Sequence, residues 1–86
     1  MYKISLKPSF VRQARGLDEE LIDLLKNKIK LLQNREHHRL LKVHKLHGKF
    51  SNYYSFSLSY KMRVVFTFQS KDEVVLYYVG DHDIYK

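Results

Sequence analysis

Residues 53–79 read YYSFSLSYKMRVVFTFQSKDEVVLYYV, and their period decides the fold. Tyr54, Phe56 and Leu58 alternate with Tyr53, Ser55 and Ser57. Beyond a short turn at Ser59-Tyr60-Lys61, Met62, Val64, Phe66 and Phe68 alternate with Arg63, Val65 and Thr67. A period of two belongs to a strand with one buried face, so the two runs form a hairpin. A second turn at Ser70-Lys71-Asp72 leads into Val74 to Val79, whose unbroken apolar character predicts the most buried strand of a three-stranded antiparallel meander.

Upstream of this stretch the signals change twice. Tyr2-Lys3-Ile4-Ser5-Leu6-Lys7 alternates strictly and is a strand that Pro8 stops. Ser9 is expected to cap a short helix carrying Phe10, Val11 and Ala14 inward, with Gly16 turning the chain out of it. Asp18 is the N-cap of a second helix: Glu19 and Glu20 suit its dipole, and Leu21, Ile22, Leu25, Ile29 and Leu32 recur at helical spacing up to about Gln33 or Asn34. Arg35 to Phe50 lacks a clear period. The fold class is therefore α+β: an N-terminal strand, two helices, then a three-stranded antiparallel meander, with both helices packed on one face of a four-stranded antiparallel sheet.

At 86 residues and 10.4 kDa, residues 1–86 form a single domain with one two-layer core. No apolar run approaches the roughly 18 residues of a membrane span, and Lys3, Lys7 and Pro8 interrupt anything resembling a signal peptide. A soluble, cytoplasmic protein without a membrane partner is expected. Cysteine is absent, which excludes disulfides, thiolate zinc sites and cysteine nucleophiles. His37, His38, His44 and His47 match no metal-ligand spacing, and three glycines do not make a phosphate loop, so neither metal nor cofactor is expected.

The charge is concentrated. Lys26, Lys28, Lys30, Arg35, Arg39, Lys42, Lys45 and Lys49 face the single acid Glu36, and this segment holds the whole net charge of +7. A field of one sign attracts polyanions, of which nucleic acid is the commonest inside a cell, although acidic proteins are attracted by the same field. With Val64, Phe66 and Phe68 turned to the helices, alternation sends Arg63, Val65 and Thr67 to the other face beside Tyr53, Ser55 and Ser57. That face is expected to be small and polar. It would form a groove with Arg63 in it, residues 42–49 at one side and the tail from His82 to Tyr85 at the other, where a phosphodiester can bind.

Leu46-His47-Gly48, Tyr60-Lys61-Met62-Arg63-Val64-Val65-Phe66 and Val79-Gly80-Asp81-His82-Asp83-Ile84-Tyr85, in this order and spacing, give a chain that resembles the RelE/ParE superfamily of toxins from type II toxin–antitoxin pairs. The resemblance covers nearly the whole length. It implies a ribosome-dependent mRNA endonuclease that contacts 16S rRNA and is held inactive by a cognate antitoxin, the pair binding operator DNA. The superfamily also contains gyrase inhibitors with the same fold, and fold alone does not choose between them.

The residues agree with the nuclease branch. RNA is cleaved without metal when its own 2′-hydroxyl attacks the adjacent phosphorus. A base must take the hydroxyl proton, a cation must stabilise the phosphorane and an acid must protonate the departing 5′-oxygen. Arg63 is the cation, since a guanidinium grips two phosphate oxygens and stays charged. His82 is the general acid, matching a C-terminal histidine or arginine of the resembling toxins, and Tyr85 stacks on a base or bonds near the scissile phosphate, as the matching aromatic does there. For the general base, Glu36 lies too early in the chain, which leaves His44 and His47. Arg39, Lys42, Lys45 and Lys49 are candidates for RNA and phosphate binding. Besides a gyrase inhibitor, a non-catalytic nucleic-acid-binding module remains the alternative; it would need the basic segment but not Arg63, His82 and Tyr85 together.

Overall fold

The computed structural model describes residues 1–81; His82 and Tyr85 lie outside them. The chain runs β1 (Lys3–Leu6), α1 (Pro8–Arg15), α2 (Glu19–Leu32), a 3-10 turn (Arg35–His37), α3 (His38–Leu41), β2 (His44–Lys45), a second 3-10 turn (Gly48–Phe50), β3 (Tyr54–Ser57), β4 (Met62–Ser70) and β5 (Glu73–Asp81). The α+β class and the meander β3–β4–β5 follow the sequence reading. The sheet, however, has five strands in the order β1-β5-β4-β3-β2 and is mixed, because β1 pairs with β5 in parallel. The extra strand and the short third helix both come from residues 35–50, where elements of two to four residues are too brief to print a period.

Leu25 and Leu32 of α2, Phe10 of α1 and Leu41 of α3 pack on one face of the sheet, against Phe56, Val64, Phe66, Val74, Leu76 and Val79. Phe66, on the central strand and fully buried, has Tyr54, Phe56 and Phe68 rings 5.5–6.0 Å from its own. Burying such rings is the largest stabilising contribution in a core of this size. As the sequence predicts, the Asp18 carboxylate caps α2 by accepting from Leu21 N at 2.9 Å, and Gln33 ends it. Leu6 departs from the expected alternation: it is 47% exposed, at the rim of an apolar cleft between α1 and α2.

Ser9 does not cap α1. Pro8 already occupies the first helical position after Lys7, where its missing N–H costs nothing. The Ser9 hydroxyl instead donates to Tyr77 O at 3.0 Å, and Gln13 Oε1 accepts from Val79 N at 3.0 Å. β1 ends at Leu6 while β5 continues to Asp81, so two side chains of α1 take over the hydrogen bonds that a longer β1 would have made.

β5 is not uniformly buried either. A register shift pairs Phe66 with Leu76 but Val65 with Tyr78, leaving Tyr77 as the extra residue of a β-bulge. Without it, strict alternation from Val74 and Leu76 would send Tyr78 and Gly80 into the core. With it, Val79 is buried, at 2% exposure, and Tyr78 and Gly80 join the opposite face. No helix among the described residues is long and apolar enough to cross a membrane.

Candidate functional site

The face of the sheet away from the helices is built rung by rung. Residues directly opposite in a ladder point to the same side. The first rung holds His44, Ser55, Val65 and Tyr78 on four successive strands; the next holds Ser57, Arg63 and Gly80. Arg63 Nη1 donates to Ser57 Oγ, and Asp81 stands opposite Met62 in the neighbouring, inward-facing rung. His44 and Arg63 lie two strands and two residues apart on this face. Strand spacing and rise put their Cα atoms about 12 Å from each other, a span that a ribose-phosphate unit and the two side chains can fill. His44 is exposed and Arg63 half-buried.

The face is not the open polar groove that alternation suggests. Ser55, Val65 and Val75 are 2%, 6% and 7% exposed although no helix covers them. On this side Tyr53 and Tyr77 meet edge to face at 5.2 Å, and Lys7 Nζ lies 5.3 Å from the Tyr77 ring centre. Thr67 Oγ1 donates to Asn52 O at 2.9 Å, which draws the segment before β3 onto the same side. Tyrosine rings with a lysine make this a surface on which nucleobases can stack. Gly80 is glycine for a steric reason: a Cβ there would stand 2.7 Å from Cζ of Tyr78, so the ring lies directly over it, beside Arg63.

The basic segment divides between the two sides of the sheet. Lys45 pairs with Tyr54 and therefore points to the helix side, opposite to His44. There Arg39, Lys42 and Lys45 join Arg35 around a cleft of about 520 Å³ that Tyr2, His38, Tyr54 and Phe68 floor. Lys42 closes α3 in the left-handed conformation, φ 56°, where a non-glycine residue is strained. His38 is structural: Nε2 donates to Leu32 O at 2.7 Å, and its ring stacks on Tyr2 at 5.4 Å and 15°. His47 and Lys49 flank Gly48 in the second 3-10 turn, both exposed, with Lys49 Nζ 5.4 Å from the Phe50 ring centre. Gly48 has φ 67°, a conformation that glycine adopts freely.

Five of the candidates are thus distributed as His44 and Arg63 on the outer face and Arg39, Lys42 and Lys45 around the inner cleft. Sequence reasoning placed Ser57 on this face, Gly80 in the tail motif and Lys28 in the basic segment without giving any of them a role. It named Tyr78 only as part of an apolar run, and of the four Lys28 matters most here. It had a signal: Lys28 interrupts the stripe Leu21, Leu25, Leu32, where an apolar residue is expected. Its Nζ donates to Ser57 O at 2.7 Å and approaches Leu58 O at 3.3 Å. Loss of hydration on burial lowers the Lys28 ammonium below its ordinary pKa. Among the described residues, no three His, Asp or Glu side chains converge as metal ligands do.

No protein-family model matches the chain, and no curated sequence matches it. Solved structures do. The YoeB/ParE toxin from Agrobacterium tumefaciens superposes with a TM-score of 0.80 at 17% identity, over 93% of this chain and 98% of the other. YafQ from E. coli strain BL21(DE3) gives 0.78 at 13% identity, over 96% of each chain. The archaeal RelE–RelB complex from Pyrococcus horikoshii OT3 gives 0.76 at 16% identity, over 96% and 97%. At these identities a superposition speaks for architecture, and over nearly the full length of both chains it does so without ambiguity: the chain has the fold of the RelE, YoeB and YafQ toxins.

Proposed function

We propose that this protein is the toxin of a type II toxin–antitoxin pair and an mRNA endoribonuclease that acts on the ribosome by metal-independent attack of the 2′-hydroxyl. The observation that carries the reading is the shared face of Arg63 and His44, which sets a permanent cation and an imidazole on one side of a rigid sheet with their Cα atoms about 12 Å apart. His44 takes the 2′-hydroxyl proton, and the oxygen attacks phosphorus. Arg63 holds the phosphorane oxygens, and His82 returns a proton to the leaving 5′-oxygen. The products are a 2′,3′-cyclic phosphate and a 5′-hydroxyl, with no net consumption of water or metal. Tyr85 stacks on a neighbouring base. Of the two base candidates, His44 is preferred because its rung lies next to that of Arg63 on the same face, whereas His47 stands beyond β2, just before the second 3-10 turn.

The cations Arg39, Lys42, Lys45 and Lys49 serve as phosphate contacts with mRNA and ribosomal RNA. Their charge also suits an acidic antitoxin, and one structure of the same fold is a complex of RelE with RelB. The test is to express the chain and map mRNA 5′ ends on translating ribosomes, with Arg63→Ala and His82→Ala as controls. New cleavage sites that fade in both variants are expected, by about 10²–10³-fold where the phosphorane loses its cation. No new sites, or sites undiminished in both variants, defeat the reading; growth arrest without cleavage points to a gyrase inhibitor.

A further inference from the structure

Arg63 is useful to a phosphodiester only if its guanidinium is held, and the hold comes from the far side of the sheet. Ser57 is the last residue of β3, next to the turn into β4, where a strand ordinarily frays. Here it is gripped twice. Its hydroxyl accepts from Arg63 Nη1 on the outer face. Its carbonyl accepts from Lys28 Nζ at 2.7 Å, and that side chain comes from α2 on the helix face. The same ammonium lies 3.3 Å from the next carbonyl, Leu58 O, while Leu58 N donates to Met62 O at 2.8 Å and closes the turn that leads to Arg63.

A lysine at this position carries a cost. The stripe it interrupts is otherwise leucine, and a leucine or methionine at 28 would fill the interface without desolvating a charge. What the lysine adds is two directional bonds, one to the carbonyl of Ser57, whose hydroxyl accepts from Arg63, and one to the carbonyl of Leu58 beside it.

We infer that Lys28 and Ser57 are positioning residues for Arg63: Lys28 fixes the Ser57 backbone through the sheet, and Ser57 Oγ fixes one guanidinium nitrogen, which leaves the other N–H donors aimed outward for two oxygens of a phosphate. The kinetic consequence rests on the proposed cleavage reaction; the restraint on the guanidinium does not.

The test uses the full chain as wild type, Ser57→Ala, Lys28→Met and Lys28→Arg, each with and without Arg63→Ala. In single-turnover cleavage of ribosome-bound mRNA, Ser57→Ala and Lys28→Met lower the rate about tenfold at unchanged ribosome affinity, as expected for a displaced catalytic group. Lys28→Arg restores most of it. In the Arg63→Ala background neither variant lowers the residual rate further. Equal losses in both backgrounds would show a general structural effect and overturn the inference. The second readout needs no activity: ¹⁵N spectra of the free protein resolve the two Arg63 Nη nuclei in the wild type, and they coalesce in Ser57→Ala and Lys28→Met while the β3 and β4 amides keep their shifts. Freely rotating Nη nuclei in the wild type overturn the inference whatever the cleavage assay gives. A wild type with a held guanidinium that cuts no RNA retains the positioning and removes the reaction.

Discussion

Replacing Gln13 by methionine tests how β5 is kept in place beyond the end of β1. Methionine matches glutamine in length and helix propensity, so α1 persists while the acceptor of Val79 N–H disappears. Val79 is 2% exposed, which keeps water from replacing the lost oxygen. An unsatisfied buried donor costs about 1–3 kcal/mol. An 86-residue domain has about 4–13 kcal/mol in total at 0.05–0.15 kcal/mol per residue. Taking about 2 kcal/mol, the folding constant falls roughly 30-fold, and the urea midpoint drops by about 1–2 M. Urea denaturation gives the global effect, and amide hydrogen exchange locates it at Val79 and its neighbours. Arg12→Met, on an exposed position of the same helix, is the control and should leave both unchanged. If Gln13→Met keeps the wild-type midpoint and an equally protected Val79 amide, the side chains of α1 do not complete the edge of β5, and the explanation given for Ser9 and Gln13 fails.

Three further outcomes are expected. Lys42→Gly releases the left-handed strain at φ 56° and raises stability by about 0.5–1 kcal/mol after the entropy of glycine is deducted, a few degrees in melting temperature, while weakening RNA binding through the lost cation; a melting temperature that falls refutes the strain. The lowered pKa of Lys28 means that the unfolded state holds the proton more tightly, so wild-type stability rises relative to Lys28→Met as pH climbs from the lowered value towards 10.5; a difference that is flat or falls with pH contradicts this. Gly80→Ala forces the Tyr78 ring aside, and since only a side-chain tip must move, the variant stays folded at a cost of about 1 kcal/mol, with shifted Tyr78 ring resonances; unfolding, or unmoved resonances, would contradict the close approach.

Long elements were legible in the sequence because each repeats its signal. Tyr54, Phe56 and Phe66 state their face several times over, and α2 carries its cap, its charge bias and its stripe together. The short elements between Arg35 and Phe50 were not legible: two residues of β2 contain a single alternation, yet that alternation sends His44 to the outer face and Lys45 to the inner one. The β5 bulge was hidden for a related reason. Tyr77 and Tyr78 both tolerate a half-buried place, so a run of valine, leucine and tyrosine does not reveal where the register slips. Ser9 was misread because serine before a helix resembles a cap, whereas its partner, Tyr77 O, is distant in sequence. The side of the sheet on which Arg63 stands was legible from alternation alone. The Lys28 interruption of the stripe was visible too, but its meaning needed the packing of α2 against the end of β3.

Cleavage chemistry tests the proposed reaction most directly. Purified chain is added to ribosomes programmed with an mRNA that is all-ribose, or that carries a single 2′-deoxy nucleotide on the 5′ side of the mapped scissile bond. The all-ribose message should be cut, leaving a 2′,3′-cyclic phosphate and a 5′-hydroxyl, and the deoxy message should stay intact at that bond, with Arg63→Ala slowing the cut of the first. Cleavage of the deoxy message, or products ending in a 5′-phosphate, would contradict 2′-hydroxyl attack on the face that Arg63 and His44 share.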